Sequence, residues 1–337
     1  MAHESKTDLF RKGLLTIGGI CPVSNPWKNL LARLTRAAGD DDITVFLSGE
    51  TGVGKTMLAQ GIHNASPRAK GPFVHFDAST EEPTVMRGTL FGHEKSAYTG
   101  ADAKSDGIFH AAKGGTLFID EVTDLSWDLQ GALRHAVDYQ QVRRLGGTKM
   151  EGVEVRIICA TNVPLEQIKK EESRFRRDLF MRLRQAVFQV PPLRTVPEEI
   201  PAIVTEVVEE WRIARGKAAV RVSDEALSTL VDYPWPGNVR ELKLAVRTAL
   251  VECRDGVLRE SDLRLDPIEP GMPIDPRTME ERTHEWAIQV WQACGENVKE
   301  ASRILDIHPN TMRKHVQQYE VAHPTTGPAV SADRLAS

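Results

Sequence analysis

The chain has 337 residues, 41% of them hydrophobic and 27% charged, with a formal net charge of −4. This is an ordinary composition for a soluble globular protein of two or three domains, with ample mass for a core. It carries no global basic field that would announce nucleic acid, so any DNA contact must come from a local patch. The four cysteines, Cys21, Cys159, Cys253 and Cys294, are scattered without a C-x-x-C pair, which argues against a zinc site or a disulfide framework. The polar start, Met1 to Gly13, lacks a signal-peptide core, and no run is long enough to span a membrane. A reducing, cytoplasmic location is expected.

Residues 1–40 read as a short lead-in with a helix around Trp27 to Ala38. The apolar run Ile43 to Ser48 reads as a buried strand, and Met57 to His63 as the start of a helix. Between them lies Gly49-Glu50-Thr51-Gly52-Val53-Gly54-Lys55-Thr56, which fits the phosphate-loop pattern G-x-x-x-x-G-K-[ST] in its required strand–turn–helix context. Its glycines let backbone N–H groups converge on phosphate oxygens, and the helix N-terminus adds positive potential. Lys55 is expected to reach the β- and γ-phosphates of ATP, and the Thr56 hydroxyl to ligate Mg²⁺.

Further strands are expected at 73–76, 116–119, 155–160 and 186–189, alternating with helical stretches. That alternation predicts an α/β fold, a parallel sheet flanked by helices. The strand Thr116-Leu117-Phe118-Ile119 ends in Asp120-Glu121, which places Asp120 beside the Mg²⁺ shell and lets Glu121 polarise an attacking water. The strand Arg156 to Ala160 ends in Thr161-Asn162. The Asn162 amide could sense the γ-phosphate, although Thr-Asn is also a plain turn signal. Phe175 to Leu183 is arginine-dense, and Arg176 and Arg182 are candidate arginine fingers for a neighbouring subunit's ATP. Six residues apart, they would not share a helix face. A solvated basic helix is the bland alternative.

From Pro197 to Glu252 the pattern turns helical. Glu198 to Arg215 reads as one helix, Ser223 as the cap of a second, and Val239 to Val251 as a third after the break at Pro234-Trp235-Pro236-Gly237-Asn238. The stretch 266–276 is a proline-rich linker. Three short helices follow: Glu285 to Ala293, Asn297 to Leu305, and, after the turn Asp306-Ile307-His308, Asn310 to Tyr319. A helix-turn-helix would place the last in the DNA major groove, with Thr311, Arg313, Lys314 and Gln317 as contact candidates. From 280 to 320 acids outnumber bases, against expectation for a DNA module, and only the third helix is clean. A helical oligomerisation tail is the alternative. The last residues, from Pro324, read as disordered.

Two further motifs carry a resemblance. Leu90-Phe91-Gly92-His93-Glu94-Lys95-Ser96-Ala97-Tyr98-Thr99-Gly100-Ala101 is similar to L-F-G-H-E-x-G-A-F-T-G-A, and Trp235-Pro236-Gly237-Asn238-Val239-Arg240-Glu241-Leu242 matches W-P-G-N-x-R-E-L. These resemble the bacterial enhancer-binding proteins, AAA+ activators of sigma-54 RNA polymerase, over roughly residues 15 to 320. The resemblance implies an AAA+ α/β subdomain at 41–192, a helical lid at 193–264, a linker at 265–278, a Fis-type helix-turn-helix at 279–321 and a tail at 322–337. It implies Asn162 as first sensor, Arg240 as second, and Arg176 and Arg182 as fingers in a homo-oligomeric, hexameric ring. Ser96, Ala97, Tyr98, Thr99, Gly100 and Ala101 would form a mobile tip that engages sigma-54. Residues 142–155 would form a second pore-facing loop.

The chain also departs from the family. Ser96 replaces the first loop glycine, which strains the loop if that position needs φ > 0. Tyr98 keeps an aromatic at the tip. Asp77 falls where the family has an asparagine that bonds the catalytic glutamate, and the expectation is a proton shared between Asp77 and Glu121. About forty residues precede the first strand, too few for a receiver domain of roughly a hundred. The expectation is therefore an activator without an N-terminal regulatory domain, controlled by a protein in trans. The leading reading is an ATP-hydrolysing activator that remodels sigma-54 holoenzyme from an upstream DNA site. The alternatives are an AAA+ DNA-binding regulator that does not engage sigma-54, a general AAA+ remodeller, and a DNA-binding protein with a dead ATPase.

Overall fold

A computed structural model describes residues 22–266, apart from 82, 98–102, 171–172, 217–218 and 254, and residues 287–322, apart from 289–290, 293, 306 and 308. The chain divides into two units. One runs through Ala202 and takes back Asn238–Arg240; the other comprises Ile203–Gly237 and the residues from Glu241 on.

In the first unit, β1 (Val45–Ser48), β2 (Phe73–Asp77), β3 (Thr116–Asp120), β6 (Arg156–Thr161) and β7 (Ala186–Gln189) form a sheet of order β2-β3-β6-β1-β7, every pair parallel. The expected alternation of strands and helices thus holds, with ends shifted by a residue or two. β1 and β6 are buried along their whole length, as befits central strands covered on both faces. Phe46 joins the core on one face, with Leu117, Ile119 and Phe180, while Val45 and Leu47 join the other, with Leu31, Leu58 and Phe188. Helix α1 (Asn25–Ala38), capped by Ser24, and helix α2 (Lys55–Asn64) cover that second face.

Helix α3 spans Pro83–Phe91, α4 Ile108–Ala111, α5 Trp127–Tyr139, α6 Leu165–Ile168 and α7 Arg177–Leu183. Between α5 and β6 lies a hairpin that hydrophobic patterning did not reveal: β4 (Gln141–Arg143) pairs antiparallel with β5 (Met150–Gly152). Its strands are three residues long and largely exposed, too short to write a period-2 signal.

In the second unit, α8 (Ile200–Arg215) continues from the first, followed by α9 (Asp224–Asp232), capped by Ser223 as expected, and α10 (Asn238–Glu252), whose first turn belongs to the first unit. Trp235 is fully buried and its indole N–H donates to Leu230 O at 2.7 Å. Short strands β8 (Arg221–Val222) and β9 (Val257–Leu258) pair in parallel.

Toward the C-terminus, residues 287–288 and 291–292 are helical, followed by α11 (Val298–Leu305) and α12 (Pro309–Ala322). Asn297 Oδ1 accepts from Glu300 N at 3.1 Å and so caps α11. Ile288, Trp291, Val298, Ala301, Met312 and Val316 form one small core. The expected linker and the residues from 323 on lie outside the described residues. Among the described residues no helix is long and apolar enough to cross a membrane, and Cys159, Cys253 and Cys294 are free.

Candidate functional site

The phosphate loop leaves the carboxyl end of β1 at Gly49, whose N–H donates to Thr161 O on β6 at 3.2 Å. A Cβ on Gly49 would stand 3.0 Å from Val190 O, so glycine is needed for the close approach. Gly52 and Gly54 have φ of 81° and 99°, left-handed values that turn the chain back into α2. Gly54 caps α2 without any side-chain bond, so the N–H groups of the first turn face the loop's interior as an anion site.

The catalytic candidates converge on this loop. Lys55, almost fully buried, places its ammonium 2.9 Å from Gly49 O and 3.4 Å from Glu121 Oε1. Thr56 Oγ1 donates to Asp120 Oδ2 at 3.2 Å. Glu121 Oε2 accepts from Asn162 N at 2.8 Å, and Asn162 Nδ2 lies 3.4 Å from Thr51 Oγ1. Three strand ends and one helix start therefore bring Thr51, Lys55, Thr56, Asp120, Glu121 and Asn162 together.

Burial pushes the Glu121 carboxyl above its ordinary range. The Lys55 charge and the Asn162 N–H pull against that, and Asp120 adds to it. Burial would raise Asp120 as well, but His75 and Lys55 outweigh it and hold that carboxylate low. The two acids differ as a hydrolytic site needs: one oxygen pair kept charged beside a hydroxyl, and one carboxyl held in a drier place. Hard cations prefer oxygen donors such as the Thr56 and Asp120 pair. Among the described residues no group of three or more His, Cys, Asp or Glu could hold a metal ion by itself, so a cation here would need phosphate oxygens to complete its shell.

The structure does not bring Asp77 to Glu121 as the sequence suggested. Asp77 Oδ1 accepts from Ser79 N at 3.0 Å and Ser79 Oγ at 2.6 Å, closing a local turn after β2. The acid that feels its charge is Asp124, which burial raises first and Asp77 raises further. A hydroxyl two residues on competes better for this carboxylate than a glutamate already held by Lys55.

Two residues missed in the sequence lock the loop from outside. Asn238 is fully buried at φ 53°; its Nδ2 donates to Thr51 O at 3.0 Å and Glu50 Oε2 at 3.1 Å, and its Oδ1 accepts from Leu193 N at 2.8 Å. Arg194 grips Glu50 with a two-pronged fork at 2.6 and 2.7 Å. The Arg194 fork, with help from Asn238, holds the Glu50 carboxyl below its usual range despite burial. The signal for Asn238 was its place after Pro-Gly, since asparagine tolerates left-handed backbone. Arg194 left no sequence signal. Arg240 reaches the loop through its main chain, N–H to Gly52 O at 3.3 Å. Within the loop, the Val53 side chain is buried.

Arg176 and Arg182 lie elsewhere in the unit. Arg176 caps α7, its guanidinium forked onto Asp178 at 2.9 and 3.1 Å and stacked 5.0 Å from the Trp127 ring. Arg182 pairs with Asp138 on α5. Both guanidiniums are thus held at α5 and α7.

Ser96 adopts φ 65°, a left-handed value of the kind the sequence warned of. Residues Tyr98, Thr99, Gly100 and Ala101 lie outside the described residues. The stem is bonded: His93 and Ser105 exchange main-chain hydrogen bonds at 2.9 and 3.1 Å, and Glu94 N donates to Leu145 O at 3.0 Å. The stem is thus joined to the β4–β5 hairpin. Arg144, nearly buried, fastens that joint to Glu151 at 2.9 Å, Asp106 at 2.6 Å and Ser105 O at 2.8 Å. At the far end of the chain, Thr311, Lys314 and Gln317 are exposed on α12, opposite buried Met312 and Val316, and Arg313 donates to Asn310 Oδ1.

Comparison with known proteins yields consistent matches. The family model described as Sigma-54 interaction domain matches residues 21–189, and the AAA+ ATPase lid domain matches 194–271. The sigma54-dependent transcriptional activator SfnR of Pseudomonas putida is 40% identical over 236 residues, covering 70% of this chain and 64% of that protein. The transcriptional regulatory protein ZraR of Escherichia coli K12 is 34% identical over 298 residues, covering 87% and 67%. The chain spans about a third of the Nif-specific regulatory proteins of Azospirillum brasilense and Azospirillum lipoferum that it matches. The crystal structure of NtrX from Brucella abortus in complex with ATP superposes with a TM-score of 0.67 at 27% identity, covering 93% of this chain and 73% of that one.

Proposed function

Because the chain belongs to the sigma-54 interaction domain family, with its AAA+ lid, we propose that it is an ATP-driven activator that remodels sigma-54 RNA polymerase. ATP binds at Gly49 to Thr56, with Lys55 and the first turn of α2 on its phosphates. Thr56 and Asp120 would hold Mg²⁺, which would supply charge neutralisation to the phosphates. Glu121 is the general base that polarises the attacking water, and Asn162, bonded to Glu121 and beside Thr51, registers the terminal phosphate. Lys55 leaves Glu121 for the phosphates when ATP arrives, which frees the base for water. Arg240 senses nucleotide from the start of α10.

Arg176 and Arg182 act on the ATP of the adjacent protomer in a hexameric ring. Their anchoring away from their own phosphate loop supports that role. The Ser96–Ala101 tip contacts sigma-54, and the hairpin at 142–155 moves with it through the shared stem. Thr311, Arg313, Lys314 and Gln317 contact an upstream DNA site from α12, and ring assembly multiplies these weak contacts. The protein works in the cytoplasm with the polymerase.

The observation that carries this reading is the hydrogen-bonded joint between the stem at His93–Ser105 and Leu145, inside the stretch that matches the sigma-54 interaction domain. The test is transcription from a sigma-54 promoter with purified polymerase and this protein. ATP should support open complexes and a non-hydrolysable analogue should not. ATP-independent activity, or none on a promoter bearing its bound site, contradicts the proposal.

A further inference from the structure

His75 stands on β2 with its imidazole stacked on Phe118, ring centroids 4.9 Å apart and planes 26° from parallel. The register sets His75 opposite Phe118 and Asp77 opposite Asp120, so His75 and Asp120 lie diagonally on one face of the sheet. His75 Nε2 is 3.7 Å from Asp120 Oδ2, the oxygen that also accepts from the Thr56 hydroxyl at 3.2 Å. Three donor types, hydroxyl, carboxylate and imidazole, therefore converge at the mouth of the phosphate loop.

The 3.7 Å separation is too long for a hydrogen bond. Donors of one octahedral ion at about 2.1 Å stand about 3 Å apart when adjacent and about 4.2 Å when opposite. The 3.2 Å spacing is close to the adjacent value, and the 3.7 Å spacing lies about 0.7 Å above it, within reach of a small rotation of the part-exposed imidazole. Stacking on Phe118 fixes the ring plane, while the side chain remains 39% exposed, so its nitrogen is accessible to an ion from solvent. Oxygen donors suit Mg²⁺; an imidazole shifts a site toward first-row transition metals.

We propose that His75 supplies a nitrogen ligand to the cation that accompanies nucleotide at Thr56 and Asp120, so that the site favours divalent transition-metal ions such as Mn²⁺ and Co²⁺ over Mg²⁺. The inference rests on the reading of Thr56 and Asp120 as the cation pair.

Pulsed electron paramagnetic resonance of the full chain with Mn²⁺ and ADP tests it. The expected result is a nitrogen modulation from coordinated imidazole. His75→Phe, which keeps the stacking on Phe118, should abolish the modulation and lower the Mn²⁺-over-Mg²⁺ preference, read by competition with ADP present, by about tenfold or more. A parent complex that binds Mn²⁺ with ADP but shows no histidine nitrogen overturns the proposal and leaves the cation pair standing. So does a His75→Phe chain with unchanged preference. If ADP does not promote Mn²⁺ binding to the parent and Asp120→Asn changes nothing, the proposal and the reading beneath it both fall.

Discussion

Asn238 donates to the main-chain oxygen of Thr51 across 3.0 Å while its own side-chain oxygen accepts from Leu193 N. One fully buried amide therefore ties the phosphate loop to the segment after β7 and to the start of α10. Asparagine suits the place twice: it carries a donor and an acceptor on one short side chain, and it tolerates the left-handed backbone found there.

Asn238→Ala should lower stability by about 1–3 kcal/mol, because Leu193 N and Thr51 O lose their partner in the interior. Nucleotide affinity should fall with it. Asn238→Asp should be worse near neutral pH, since a carboxylate cannot donate to Thr51 O and would face Glu50. Thermal unfolding and ADP titration of the two variants check the order. An aspartate variant as stable as the parent would contradict this account of the contact.

The two arginines make a prediction that only a shared site satisfies. Arg176→Ala should bind ATP normally but hydrolyse it about 10³-fold or more slowly. Arg176→Lys should not restore the rate, because lysine lacks the planar, two-pronged donor that spans phosphate oxygens. Mixing Arg176→Ala with Lys55→Ala should recover phosphate release, as each chain supplies what the other lacks. Silence of the mixture, with both variants assembled, argues against fingers acting between protomers.

The joint between the two loops should respond to acid. The Arg144 guanidinium first, and then His110, hold the Glu151 carboxyl down from 4.5 to about 2. A depressed carboxyl contributes stability above its unfolded value, and that contribution is lost as pH falls from 4.5 toward 2. Glu151→Gln should therefore lower the melting temperature at pH 7, and its gap from the parent should narrow between pH 5 and pH 3. A gap that stays constant through that window would rule out the charged joint.

Ser96 makes a steric prediction. Its φ of 65° is open to glycine, costs serine about 1–2 kcal/mol, and is worse for a β-branched side chain. Ser96→Gly should leave stability within about 0.5 kcal/mol of the parent, since relief of strain is offset by added freedom of the unfolded chain. Ser96→Val should cost clearly more and weaken activation. Equal behaviour of the two would show that the left-handed conformation is not required.

The parallel sheet and the nucleotide-facing residues were legible in the sequence because each announces itself locally. Buried strands such as Val45–Ser48 and Arg156–Thr161 are continuous apolar runs, and Gly52 and Gly54 sit where only a phosphate loop puts them. Arg194 was not legible because its partner lies far away in sequence, and the β4–β5 hairpin was not because its strands are three residues long and largely exposed. Arg194 meets Glu50 across 144 residues, and Arg144 gathers Asp106 and Glu151 from two other segments. Asp77 failed for the opposite reason: its partner Ser79 is only two residues away, and a local turn outcompeted the long-range one.

The most direct test of the whole account is promoter melting by Glu121→Gln. With ATP, sigma-54 holoenzyme and a promoter bearing the bound upstream site, permanganate reactivity of unpaired thymines should rise with the parent. It should stay at background with Glu121→Gln, which still binds ATP but has lost the base. Melting by that variant at the parent's rate would contradict the claim that hydrolysis at Glu121 drives the polymerase open.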